Sequence, residues 1–188
     1  MKVGLIVDGD SEKIALPTQI LANTVIRKSL NGKNVSLGQI ANNAIKLAGA
    51  LSAVNCTHII LILDREKRSE SAYDIKQALI KSIGMKCGLN FGIVVADRMF
   101  ENWLLADIEN ISTKFPAKFN LNSNGAFEST HGKNEIRKMT TPNYSLRTDD
   151  AGEFFKKIRT SVGVTNSASF SDWIKTLETL TIKYINRS

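Results

Sequence analysis

Apolar positions along this chain follow two alternating patterns. Residues 2–8 form a nearly continuous apolar run ending in Asp8-Gly9-Asp10, as expected of a buried parallel strand that closes in a glycine turn. Ile14, Ala15, Leu16, Ile20, Leu21 and Val25 continue as a helical stripe after Ser11, with Pro17 acceptable only in a first turn or at a kink. Residues 36–53 carry Leu37, Ile40, Ala41, Ala44, Ile45, Ala48 and Leu51, which predicts a helix with a broad apolar face and Ser36 as its cap. His58-Ile59-Ile60-Leu61-Ile62-Leu63 is the strongest strand and ends in Asp64-Arg65-Glu66. A helix follows from about Ser71 to Gly84, and Phe91–Ala96 is another strand. Apolar strands alternating with amphipathic helices predict an α/β fold: a Rossmann-like parallel sheet flanked by helices.

The pattern changes after Phe115. Residues 116–134 are rich in Asn, Ser, Gly and Lys and read as a loop, with a helical segment near Asn134–Met139. Asp149 or Asp150 is placed to cap a helix through Phe154, Phe155 and Ile158. A last helix opens at Ser167-Ala168-Ser169-Phe170, where Asp172, three residues after Ser169, suggests a capping box. The expected organisation is one domain, with an α/β core over 1–113 and a helical extension over 114–188.

Composition narrows the possibilities. The 188 residues suffice for a real core, and 43% of them are apolar. No run of about 18 apolar residues offers a membrane-spanning helix. The N-terminus reads as a strand rather than a signal peptide, so the expected location is cytoplasmic. Net charge is +7, and its distribution is uneven: residues 1–113 hold 13 basic and 11 acidic side chains, residues 114–188 hold 12 and 7. A basic excess suits solubility or an anionic partner such as nucleic acid. Cys56, Cys87, His58 and His131 have no metal-ligand spacing, so any metal would be held by carboxylates, which points to Mg²⁺ or Mn²⁺.

Carboxylates gather at strand ends: Asp8, Asp10 and Glu12 after the first, Asp64 and Glu66 after the second, then Asp97, Glu101 and Asp107. Ligands of parallel α/β sheets bind beyond the carboxyl ends of strands. Were the first two strands neighbours, Asp8 and Asp64 would lie side by side, a repulsive arrangement that a cation relieves. Asp10 and Asp97 better suit capping of the helices that follow them. Gly132-Lys133-Asn134 is not a phosphate loop, because Phe127 stands where the first glycine is required.

Val7-Asp8-Gly9-Asp10-Ser11-Glu12 resembles the first Toprim motif, and Leu61-Ile62-Leu63-Asp64-Arg65-Glu66 resembles the second. Met99-Phe100-Glu101-Asn102-Trp103-Leu104-Leu105-Ala106-Asp107 is similar to the third signature of a family of short Toprim-like proteins, related to overcoming-lysogenization-defect nucleases. Gly132-Lys133, Tyr144 with Arg147, and Ser167-x-Ser169-Phe170 are similar to its tail. Members stand beside ABC/SMC-type ATPases in phage-defence and mobile-element neighbourhoods. The resemblance implies a Toprim-like fold and a metal-dependent nuclease subunit, with an ATPase partner and a nucleic-acid substrate. Asp8, Glu12, Asp64 and Glu66 would hold Mg²⁺ or Mn²⁺, with Glu101 as a further ligand or orienting group. Lys133 or Arg147 would neutralise phosphate charge, and Lys133, Arg137, Lys138 and Arg147 would bind nucleic acid. This chain departs from the family at two ligands: Asp8 replaces a Glu and Glu66 an Asp, each moving a carboxylate by one methylene. A non-catalytic regulatory or scaffold subunit is the alternative. A phosphoryl enzyme using Asp64 is a third, weakened by the lack of a suitably placed lysine after a third strand.

Overall fold

A computed structural model describes residues 1–32, 34–87, 90–120, 127–142 and 147–188. Tyr144 and residues 121–126 of the Asn/Ser-rich stretch lie outside the described residues. Four strands, β1 (Lys2–Val7), β2 (Asn23–Lys28), β3 (His58–Asp64) and β4 (Asn90–Ala96), form one sheet in the order β2-β1-β3-β4. Every pairing is parallel, with Leu5 opposite Ile26 and Ile60, and Leu61 opposite Ile93. The helices are α1 (Asp10–Ala15), α2 (Leu37–Ser52), α3 (Ala72–Ile83), α4 (Glu101–Leu105), α5 (Ile108–Lys114), α6 (Gly132–Met139), α7 (Thr148–Phe155), α8 (Thr160–Asn166) and α9 (Ala168–Thr179). The fold is α/β with a parallel, helix-flanked sheet of Rossmann-like form, as the alternation of patterns predicts.

The strand period of two divides the core. Ile6, Ile59, Leu61, Leu63, Ile93 and Val95 face α2 and α3, where Ile40, Ala44, Leu51, Ile75 and Leu79 complete an aliphatic layer. Val3, Leu5, Val7, Ile60, Ile62 and Val94 face the other way, against Trp103, Phe154, Phe155, Phe170 and Trp173. Residues beyond 114 therefore share one core with the sheet. Trp103 stacks on Trp173 at 6.2 Å between centroids and meets Phe170 edge-on at 5.8 Å. Each indole N–H has a buried acceptor: Trp103 donates to Ser169 Oγ and Trp173 to Gln19 Oε1, both at 2.8 Å.

Two local expectations change and one open alternative closes. The helix expected through Val25 stops at Ala15, passes through a 3-10 turn over Leu16–Thr18, and gives way to β2. Pro17 supplies no N–H to continue the ladder, and Thr24, Val25 and Ile26 are β-branched residues suited to a strand. At α9 the cap is Ser167, whose hydroxyl accepts the Phe170 N–H at 3.1 Å, so Asp172 is no part of a capping box. Asp172 instead takes both oxygens to Lys76 of α3, at 2.6 and 2.8 Å. Asp150, not Asp149, receives the Arg147 N–H at the start of α7.

Candidate metal centre

Strand order reverses at β1, whose successor β2 lies on one side and β3 on the other. Such a switch point opens a crevice at the carboxyl ends of the two central strands. Asp8 follows β1, Asp64 ends β3 and Glu66 follows it; one carboxylate oxygen of each lies within 4.8 Å of the others. The cleft around them holds ≈ 280 Å³ and is also lined by Glu12, Glu101, Lys133 and Thr148.

Each carboxylate is held differently. Asp8 Oδ2 accepts from Asn31 Nδ2 at 2.6 Å, and the same amide donates to the Asp64 carbonyl at 3.1 Å. Arg68 anchors that loop by donating to Asn31 Oδ1, Gly32 O and Val35 O. Asp64 Oδ1 accepts the Phe100 N–H at 2.7 Å. Glu66 sits in the left-handed region at φ 59°, a strain of roughly 1–2 kcal/mol for a non-glycine residue. Its N–H donates to the Arg98 carbonyl at 2.8 Å, which fixes the turn. Glu12 is 3% exposed, with its carboxylate over Gly9; a Cβ there would fall 2.6 Å from Glu12 Oε2.

Glu101 opens α4 and is held by the aromatic core beneath that helix. Lys133 reaches it from α6, Nζ to Oε1 at 3.5 Å. The two helices touch because residue 132 is glycine: a Cβ would meet Asn102 Oδ1 at 2.8 Å and Glu101 Cβ at 2.9 Å. Like charges and burial leave their mark on protonation. Burial, then the charges of Glu12, Glu101 and Asp8, pushes Asp64 well above the usual carboxylate range. Burial, with Glu101 and Asp8 nearby, pushes Glu12 up to about 7. Burial also raises Asp8, against the opposing hydrogen bond from Asn31. Glu101 raises the pKa of Lys133.

The donor set is all hard oxygen, which suits a hard divalent cation. Metal–oxygen distances of about 2.1 Å put ligand oxygens roughly 3–4.2 Å apart, so the observed spread fits a cation after a small inward movement. The carboxylates of Asp8, Asp64 and Glu66 can therefore hold a metal ion. Glu12, expected as a fourth ligand, lines the same cleft but is not one of the three converging groups.

The other expected positions separate. Asp10 and Asp97 cap no helix. Gly9 occupies the cap position of α1, and Asp10 pairs loosely with Lys28 at 3.4 Å at the surface. Asp97 binds Arg65 Nε at 2.6 Å and Ser129 Oγ at 2.5 Å. Asp107 is buried far along the chain from the cleft residues of β1 and takes the Arg159 N–H, Nε and NH2 group. Among the expected nucleic-acid contacts, Lys133 lines the cleft. Arg137, one helical turn further on α6, is exposed, as is Arg147, which precedes the cleft residue Thr148. Lys138 turns to Glu135 at 2.8 Å. Several basic side chains after residue 114 are held in ion pairs, Lys118 with Asp150, Lys156 with Glu153 and Arg159 with Asp107, of which only the last draws on an acid outside this segment. Among the described residues, no helix is long and apolar enough to cross a membrane.

Sequence reasoning missed Asn31 and Arg68. Asn31-Gly32 reads only as a turn; its link to Asp8 exists only once β2 lies beside β1, and its link to Asp64 only once β3 lies on the other side of β1. The chain matches no protein-family model, no curated protein and no solved structure.

Proposed function

We propose that this protein is a Toprim-like, Mg²⁺- or Mn²⁺-dependent nuclease that hydrolyses phosphodiester bonds of DNA or RNA. The observation that carries the reading is the convergence of Asp8, Asp64 and Glu66 at the switch point of the sheet. Two further carboxylates, Glu12 and Glu101, and the Lys133 ammonium stand in the same cleft. Asp8, Asp64 and Glu66 hold the ion. When bound, it supplies charge neutralisation at the phosphate and a lowered pKa for water. Glu12, in the same cleft as the three converging carboxylates, would be placed to take a proton from the attacking water. Lys133, oriented by Glu101, donates to a non-bridging phosphate oxygen. Arg137, Lys138 and Arg147 steer the flanking backbone, a salt-dependent contribution. The resemblance in the sequence supports an ABC/SMC-type ATPase partner and a role in phage defence in the cytoplasm.

The test is cleavage of plasmid DNA and of structured RNA with Mg²⁺ or Mn²⁺, with excess EDTA and with the Asp64→Ala variant. Cleavage that needs the metal and is lost in the variant is expected. Undiminished cleavage by the variant overturns the assignment. Metal-induced thermal stabilisation without cleavage of either substrate selects the regulatory or scaffold alternative.

A further inference from the structure

The turn that carries Glu66 is clamped to the end of β4 at three points. The Arg65 N–H donates to the Ala96 carbonyl at 3.0 Å, Arg65 Nε to Asp97 Oδ1 at 2.6 Å, and the Glu66 N–H to the Arg98 carbonyl at 2.8 Å. The second Asp97 oxygen accepts from Ser129 Oγ at 2.5 Å, and Arg98 Nη1 donates to the Ser129 carbonyl at 3.2 Å. One carboxylate thus joins three chain segments: the turn after β3, the end of β4, and the stretch that leads into α6. That last stretch is fixed at two further points. Asn102 Nδ2 donates to the Phe127 and Thr130 carbonyls, and the Glu128 carboxylate accepts from the Ser167 hydroxyl and the Ser169 N–H.

Backbone strain gathers at the same place. Among the described residues, five other than glycine have positive φ, and three of them are Glu66, Arg98 and Ser129, at 59°, 76° and 63°. These three are bonded in series, the Glu66 N–H to the Arg98 carbonyl and the Arg98 guanidinium to the Ser129 carbonyl. Left-handed backbone at such residues is unfavourable and persists only where the surrounding bonds over-determine it. Asp97 stands at the centre of the series. It precedes Arg98 in the chain, binds the side chain of Ser129, and binds the residue before Glu66.

We propose that Asp97 is a positioning residue of the metal centre: it fixes the turn that aims Glu66 at the ion and ties that turn to the segment delivering Lys133 to the same cleft. The proposal rests on the reading of Asp8, Asp64 and Glu66 as a metal site. Asp97 is not one of the converging carboxylates and lines no part of the acidic cleft, so it acts through its partners and not on the ion. A carboxylate suits the task because its two oxygens accept from a guanidinium and a hydroxyl at once. Without it, the left-handed turn at Glu66 loses a support and its carboxylate drifts from Asp8 and Asp64.

The experiment is a titration of the full chain with Mn²⁺, followed by calorimetry and by the EPR signal of the free ion, at a temperature where every variant is folded. It is arranged as a double-mutant cycle. Asp97→Ala is expected to weaken Mn²⁺ binding about tenfold in the otherwise unaltered chain. In a chain that also carries Glu66→Ala, the side chain it positions is gone, and the same change is expected to weaken binding less than about twofold. Ser129→Ala deletes one hydroxyl and is expected to weaken binding about threefold. Leu79→Ala, a loss of packing in the aliphatic layer, is expected to leave affinity within about twofold. The proposal is overturned, with the metal reading intact, if Asp97→Ala has no effect, if its factor is the same with and without Glu66, or if Leu79→Ala weakens binding equally. Should Asp97→Ala fail to fold, Ser129→Ala measured with and without Glu66→Ala decides in the same way. An unaltered chain that binds no Mn²⁺ overturns the metal reading, and this proposal with it.

Discussion

The two sides of the sheet solve different problems. The side covered by α2 and α3 is almost wholly aliphatic, and its helices are closed by local devices: Ser36 with Gln39, and Ser71 with Asp74. The opposite side is aromatic and carries the polar groups that are costly to bury, among them Glu12, Gln19, Glu101, Asn102 and Asp107. One side stabilises at little cost; the other uses its packing to hold carboxylates where water would otherwise scatter them. Trp103 shows the link, since it lies two residues from Glu101 on α4 and is fully buried between Trp173, Phe170 and Phe100. Stability and site are separable on the α2/α3 side and joined on the aromatic side.

Truncation on each side probes that difference most strongly. Trp103→Ala is expected to cost about 3–5 kcal/mol and Leu79→Ala about 2–5 kcal/mol in urea denaturation. Only the tryptophan variant should weaken stabilisation by Mn²⁺, followed as a thermal shift at a temperature where both variants are folded. Equal losses of the metal response would erase the distinction between the two sides.

Acidity is the next lever. Glu12 has a folded pKa of about 7, above its ordinary 4.5, so the folded chain binds more protons than the unfolded chain between these values. Metal-free stability should therefore fall as pH rises from about 5 to 8, by up to roughly 3 kcal/mol from this group. Glu12→Gln should flatten that slope. Divalent ions should stabilise more at pH 8 than at pH 6, because they compete with protons for the cluster. A slope of the opposite sign, measured by denaturation at several pH values, would remove Glu12 from the account.

Smaller effects sharpen the contrast. Asn31→Ala deletes the amide that joins Asp8 to the end of β3, and should cost about 1–2 kcal/mol and weaken Mn²⁺ binding about tenfold in calorimetric titration. Lys138→Ala breaks an exposed pair with Glu135, and should shift the denaturation free energy by less than about 0.5 kcal/mol.

What the sequence made legible follows the same division. β1, β3 and β4 are covered on both faces and appear as unbroken apolar runs. β2 is an edge strand whose residues are half-buried or exposed, so Asn23–Lys28 carries no such run and merges with the preceding helical stripe. Asp8, Asp64 and Glu66 were visible because charges at the ends of apolar strands stand out. Asn31 and Arg68 were not visible, because each depends on segments brought together only by the sheet order. Asp10 and Asp97 misled for a related reason: a carboxylate before a helix resembles a cap until its tertiary partner, here Lys28 or Arg65, is known.

The contact at Gly132 sets a limit on how this chain can change over evolutionary time. Any side chain there drives into Asn102 and Glu101, so α6 must retreat and withdraw Lys133 from the cleft. Gly9 is under a milder demand, because a Cβ there meets only the movable carboxylate end of Glu12. A descendant that lost Gly132 would be expected to lose Lys133 from the cleft as well, so those two positions should drift together or not at all, while position 9 is freer to change.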